Sequence, residues 1–64
     1  MKKETKMLIN MAESIAKINK WEIYRMNLQK HHAGDIEYYV LYVTYEGGNE
    51  IIIRSDCTIV GYDN

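Results

Sequence analysis

The sequence predicts an α+β fold, with one N-terminal helix packed on an antiparallel β-meander of three to four strands. Three observations lead there. Apolar residues recur at three- and four-residue spacing from about residue 4 to 19, the period of one helix face. From Trp21 onward the period drops to two, the alternation of a strand. Short glycine-bearing or polar interruptions then cut the remainder into strand-length runs, with no proline anywhere.

The helix reads from Leu8, Met11, Ile15 and Ile18, with Ala12 beside that stripe and Met7 at its edge. Asn10, Glu13, Lys17 and Lys20 fall away from it. Glu13 and Lys17 stand four apart in the favourable order, an increment of ~0.2–0.5 kcal/mol. The stripe is shorter than two heptads, so it predicts packing on a sheet and not a coiled-coil seam. Asn19-Lys20 is the expected helix end.

Trp21 to Gln29 reads as the first strand, with Tyr24, Met26 and Leu28 on one parity and Arg25, Asn27 and Gln29 on the other. Lys30 to Asp35 reads as a polar connection. The second strand, Ile36 to Tyr45, is the most informative segment, because both of its parities are apolar. Ile36, Tyr38, Val40 and Tyr42 share one side; Tyr39, Leu41, Val43 and Tyr45 share the other. A single 64-residue domain with one helix covers only one of those faces from its own chain. The surplus face asks for a partner.

Gly47-Gly48 fits a two-residue primed turn between that strand and Glu50 to Arg54, since glycine tolerates positive φ. Such a turn pairs Tyr42 with Ile53 and Thr44 with Ile51. It groups Tyr38, Val40, Tyr42, Ile51 and Ile53, a set without charge, under the helix. It turns Tyr39, Leu41, Val43, Tyr45 and Ile52 outward, edged by Glu37, Glu50 and Arg54. A three-residue loop is the alternative; it shifts the pairing by one, mixes the two sets and sets Glu46 against Glu50. Ser55 to Thr58 reads as another tight turn, and Ile59 to Tyr62 as a short fourth strand.

A short helix, a strand opening at an aromatic, the hairpin Tyr38-Tyr39-Val40-Leu41-Tyr42-Val43…Glu50-Ile51-Ile52-Ile53 and a closing Ile59-Val60 resemble the PepSY domain. The resemblance is one of pattern over almost the whole chain. That family occurs in metalloprotease propeptides and related bacterial proteins, so the resemblance implies an inhibitory or protein-binding role.

Several kinds of chemistry are disfavoured. Net charge is −1, which gives no basic field for nucleic acid, although aromatic sheets can stack single-stranded bases. His31-His32, with Asp35 and Glu37 nearby in sequence, is the nearest approach to a metal site and lacks the ligand spacing of zinc proteins. Cys57 has no neighbouring base, and Gly47-Gly48 lacks phosphate-loop spacing. No catalytic residue, cofactor site or metal ligand is therefore assigned, and the chain reads as non-enzymatic. One cysteine excludes an internal disulfide and fits a reducing compartment. The first twenty residues lack the apolar core of a signal peptide, and no apolar run is long enough to span a membrane; the expectation is cytoplasmic.

The functional expectation is an interaction protein, an inhibitor or regulator that binds a larger protein or self-associates. The expected interface is Tyr39, Leu41, Val43, Tyr45 and Ile52, with Arg54 at the rim. A phage or mobile-element inhibitor of a host defence or nucleic-acid enzyme is one alternative, and nucleic-acid binding through the tyrosine sheet is another. On this reading Leu41→Arg breaks association and leaves the fold intact.

Overall fold

A computed structural model describes residues 3–55 and, as backbone, residues 59–63. One helix, α1 (Lys3–Asn19), is followed by strands β1 (Ile23–Ala33), β2 (Ile36–Tyr45), β3 (Glu50–Arg54) and β4 (Ile59–Asp63). The strands form one antiparallel sheet in the order β1-β2-β3-β4, and α1 packs on it. This is the α+β meander that the change of period predicts. The expected turn over Ser55 to Thr58, with Cys57, falls largely outside the described residues.

The helix carries Glu4 in its first turn and Lys17 in its last, both of the sign that its dipole favours. It ends where expected, by a defined device. The Trp21 N–H donates to the Ala16 carbonyl at 2.8 Å and the Lys20 N–H to the Lys17 carbonyl at 3.4 Å. Lys20 sits at φ 59° between them, in the left-handed conformation usually given to glycine. The Asn19 side chain donates to the Ile15 carbonyl at 2.9 Å. The chain thus reverses within two residues and enters β1.

The rotation of α1 differs from the expected one. Thr5, Leu8, Ala12 and Ala16 form the buried stripe. Met11 and Ile15 are only half-buried, Met7 is 44 % exposed and Ile18 is 79 % exposed. Small side chains explain the shift: Ala12 and Ala16 let the helix backbone lie close over the sheet, where a large ring fills the space below. That ring is Tyr45, 1 % exposed, whose hydroxyl donates to the Ala12 carbonyl at 2.9 Å. Trp21 packs on it at 5.3 Å between ring centres.

The first hairpin is longer than the sequence suggests. β1 continues through Lys30, His31 and His32 to Ala33, and Gly34-Asp35 alone forms the turn, with Gly34 at φ 65°. Cross-strand partners compensate for these polar positions. Lys30 Nζ lies 2.8 Å from Glu37 Oε2, and His31 stacks on Tyr38. A bulge between Ile23 and Arg25 adjusts the register near the top of the strand.

The second turn decides the faces. Tyr45 donates its N–H to the Asn49 carbonyl at 2.8 Å, and Gly48 donates to the Tyr45 carbonyl at 3.1 Å. The loop is therefore Glu46-Gly47-Gly48, with both glycines at positive φ. It pairs Val43 with Ile51 and Leu41 with Ile53. The expected two-residue loop is corrected. The repulsion between Glu46 and Glu50 does not arise, because the loop starts one residue earlier and takes Glu46 into the turn. Leu41, Val43, Tyr45, Ile51 and Ile53 join Leu8, Ala12 and Ala16 in one core, with Tyr39 packed at its margin.

Candidate interaction surface

The sheet's other face is built by the alternate residues, and the register places them in rows. Arg25, Thr44 and Glu50 form the uppermost row; Asn27, Tyr42 and Ile52 the next; Gln29, Val40 and Arg54 the third; His31 and Tyr38 the fourth. Ala33 and Ile36 close the face beside the Gly34-Asp35 turn. Among the described residues nothing lies over these rows, because α1 occupies the opposite side.

This face is apolar at its centre. Val40 is only 5 % exposed although it points away from the helix. Gln29 and Arg54 flank it across the strands, and Tyr38 and Tyr42 flank it along β2. Tyr38, Tyr42, Thr44 and Ile52 are half-buried, and Ile36 is well exposed. Arg25, Asn27, Gln29, Glu50 and Arg54 form an exposed polar surround. A concavity of about 700 Å³ opens where Arg25, Asn27, Tyr42, Thr44, Glu50 and Ile52 meet.

The lower rows are held by stacked planar groups. The His31 and Tyr38 rings lie 5.6 Å apart and 19° from parallel. The Arg54 guanidinium sits 5.6 Å from the centre of the same phenol ring, within cation–π range. His31 Nε2 is shielded from solvent and, among the described residues, makes no hydrogen bond. Ser55 fixes the adjoining end of β3: its N–H donates to the Tyr39 carbonyl at 2.9 Å, and its hydroxyl accepts the Tyr39 N–H at 3.2 Å.

The expected interface is thereby divided. Ile52 and Arg54 lie on the open face. Tyr39, Leu41, Val43 and Tyr45 do not; they stand on the helix side, and the last three are each 1 % exposed. β3 faces as the sequence suggests and β2 is inverted, because the turn starts at Glu46. Tyr38, Val40 and Tyr42 take the outward places instead. The signal that identifies them is the polarity of β3: Glu50 and Arg54 must face solvent, and the observed register gives their side of the sheet to Tyr42 and Val40.

The two histidines cannot act together, since successive residues of β1 point to opposite faces. His31 joins the open face, whereas His32 Nδ1 lies 3.9 Å from Glu37 Oε1 on the other. Among the described residues no three His, Cys, Asp or Glu side chains come together as a metal would require. In the same residues no helix is long and apolar enough to cross a membrane. Glu37 also hydrogen-bonds Lys30 and holds its ammonium above the ordinary lysine pKa. Comparison with known proteins gives no match to a family model, a curated protein or a solved structure.

Proposed function

We propose that this chain is a small, non-enzymatic protein-interaction module that works through the open face of its sheet. One observation supports the reading most directly: Tyr38, Tyr42 and Ile52 stand half-exposed around Val40 on a surface that no described element covers. Tyrosine and arginine around an aliphatic centre are the residue types that concentrate at protein interfaces. An inhibitor or regulator of a larger protein, as the PepSY-like pattern implies, is the sharpest form of the proposal. The cytoplasm is its proposed setting, where a lone cysteine stays reduced.

The test pairs folding with binding. Tyr42→Asp and Ile52→Asp should each leave the circular-dichroism spectrum intact and abolish association with any protein partner or with itself. Association should also change little with salt, since an apolar interface releases few counterions. Full binding by both variants would refute the module. A fall of several orders of magnitude between low and moderate salt would transfer the surface to nucleic acid.

A further inference from the structure

We infer that the concavity at the Thr44 end of the open face is a binding site for a free L-α-amino acid with an aromatic side chain. Such a site goes beyond the protein-interaction reading, and its failure leaves that reading in place. Two charges mark it. Arg25 and Glu50 stand either side of Thr44 in one row, both exposed, and among the described residues neither joins an ion pair. Asp63 follows at the next register position of β4, so the row is basic at β1 and acidic at β3 and β4. One strand separates Arg25 from Glu50, which sets their backbones about 9.6 Å apart.

Those charges bound a hollow of about 700 Å³, within the ~300–1,000 Å³ of small-molecule sites. Its floor, in the next row, is apolar: Tyr42 and Ile52 lie there half-buried beside Asn27. A simple anion at Arg25 is repelled by Glu50, and a simple cation at Glu50 is repelled by Arg25. A zwitterion satisfies both. In an α-amino acid the ammonium nitrogen and the carboxylate carbon flank one carbon and lie about 2.5 Å apart. With a charge-assisted hydrogen bond of about 2.8 Å at each end, the group spans about 8–9 Å and bridges the row. The side chain leaves the same carbon, and the Tyr42 row lies about 6.8 Å along the strand. Glycine and alanine fall short of that row. An indole or phenyl ring reaches it and lies against the Tyr42 ring and Ile52.

The handedness of the sheet selects the enantiomer. Tyr39 and Tyr45 are on the helix side and bond toward β3: the Tyr45 N–H donates to the Asn49 carbonyl, and the Tyr39 carbonyl accepts from the Ser55 N–H. For L-residues this puts β1 on the right and β3 on the left of an ascending β2 seen from the open side. A bridging ligand therefore has its carboxylate on the right, at Arg25, and its ammonium on the left, at Glu50. With the side chain directed down toward Tyr42 and the α-hydrogen toward solvent, those groups follow one another in the order of an L-amino acid. A D-amino acid that keeps both ionic contacts turns its side chain away from Tyr42.

Chemical-shift titration of the isotope-labelled full chain tests the site, with L-tryptophan as the probe. The expected Kd is on the order of 1 mM. D-Tryptophan, tryptamine (no carboxylate) and indole-3-propionate (no ammonium) should each bind about three- to tenfold more weakly. Glu50→Lys should reverse one preference, so that indole-3-propionate binds more tightly than L-tryptophan. Arg25→Glu should favour tryptamine in the same way. Both positions are exposed, and an unchanged far-ultraviolet circular-dichroism spectrum confirms each fold. Unmoved amide signals around Thr44 and Glu50 at about 10 mM L-tryptophan overturn the site. Equal binding of L-tryptophan and either truncated analogue overturns the zwitterion as ligand. Equal binding of the two enantiomers overturns the orientation assigned to it.

Discussion

The two faces of β2 share one backbone and nearly the same hydrophobicity, and they meet opposite fates. Leu41, Val43 and Tyr45 are sealed beneath α1, whereas Tyr38, Tyr42 and Ile36 keep part or most of their surface in water. The covered face receives the alanine stripe of the helix and the hydrogen bond from Tyr45 to Ala12. The open face receives the charges of β3 and a stacked arginine. The difference teaches that the face an apolar side chain of β2 takes follows from the hairpin register, and not from its own type.

The strongest way to break this contrast is to put the same cation on each face. Leu41→Arg should leave the chain unfolded at 25 °C by circular dichroism. An uncompensated buried charge exceeds the ~3–10 kcal/mol expected for a domain of this length. Tyr42→Arg, one residue along, should keep the native spectrum and remove association. The opposite pair of results would invert the two faces.

The helix offers a second contrast. Leu8→Ala should reduce unfolding free energy in urea by about 2–5 kcal/mol, because Leu8 is fully buried. Ile18→Ala should change it by less than about 0.5 kcal/mol, because Ile18 is mostly solvated. Equal effects would return the helix to the rotation that its larger apolar residues suggest.

Tyr45→Phe removes one buried hydrogen bond and keeps the ring, so it should cost about 1 kcal/mol. The same variant carries a pH signature. Burial pushes the Tyr45 phenol above its ordinary pKa, which is about 10 in the unfolded chain. Its contribution is therefore full below about pH 10 and is lost as pH rises through the folded value. Thermal melts should show the wild type weakening more steeply than Tyr45→Phe above pH 10; identical slopes would remove the buried phenol from the account. The smallest expected effect is at the helix end. Lys20→Gly relieves a left-handed lysine and should raise stability by about 0.5 kcal/mol.

Much of this architecture is legible without coordinates. The change from helical to twofold period places α1 and the strands, and the helix end at Asn19-Lys20 is correct to the residue. The polarity of β3 is legible too, since Glu50 and Arg54 bracket Ile52. The reach of β1 through Lys30, His31 and His32 is not, because those residues are strand-compatible only beside Glu37 and Tyr38. The inversion of β2 was hidden for a different reason. Gly47-Gly48 fits either loop length locally, and one residue of difference moves every β2 side chain to the other face.

Residue order alone settled that this is a helix and a meander with apolar surface to spare, because periodicity and turn chemistry act between near neighbours in the chain. Three-dimensional packing settled which surface is spare. With both parities of β2 apolar, no local preference separates them. The choice fell to a hairpin register that keeps Glu50 and Arg54 in water, and to Ala12 and Ala16, whose small size brings the helix down onto Tyr45.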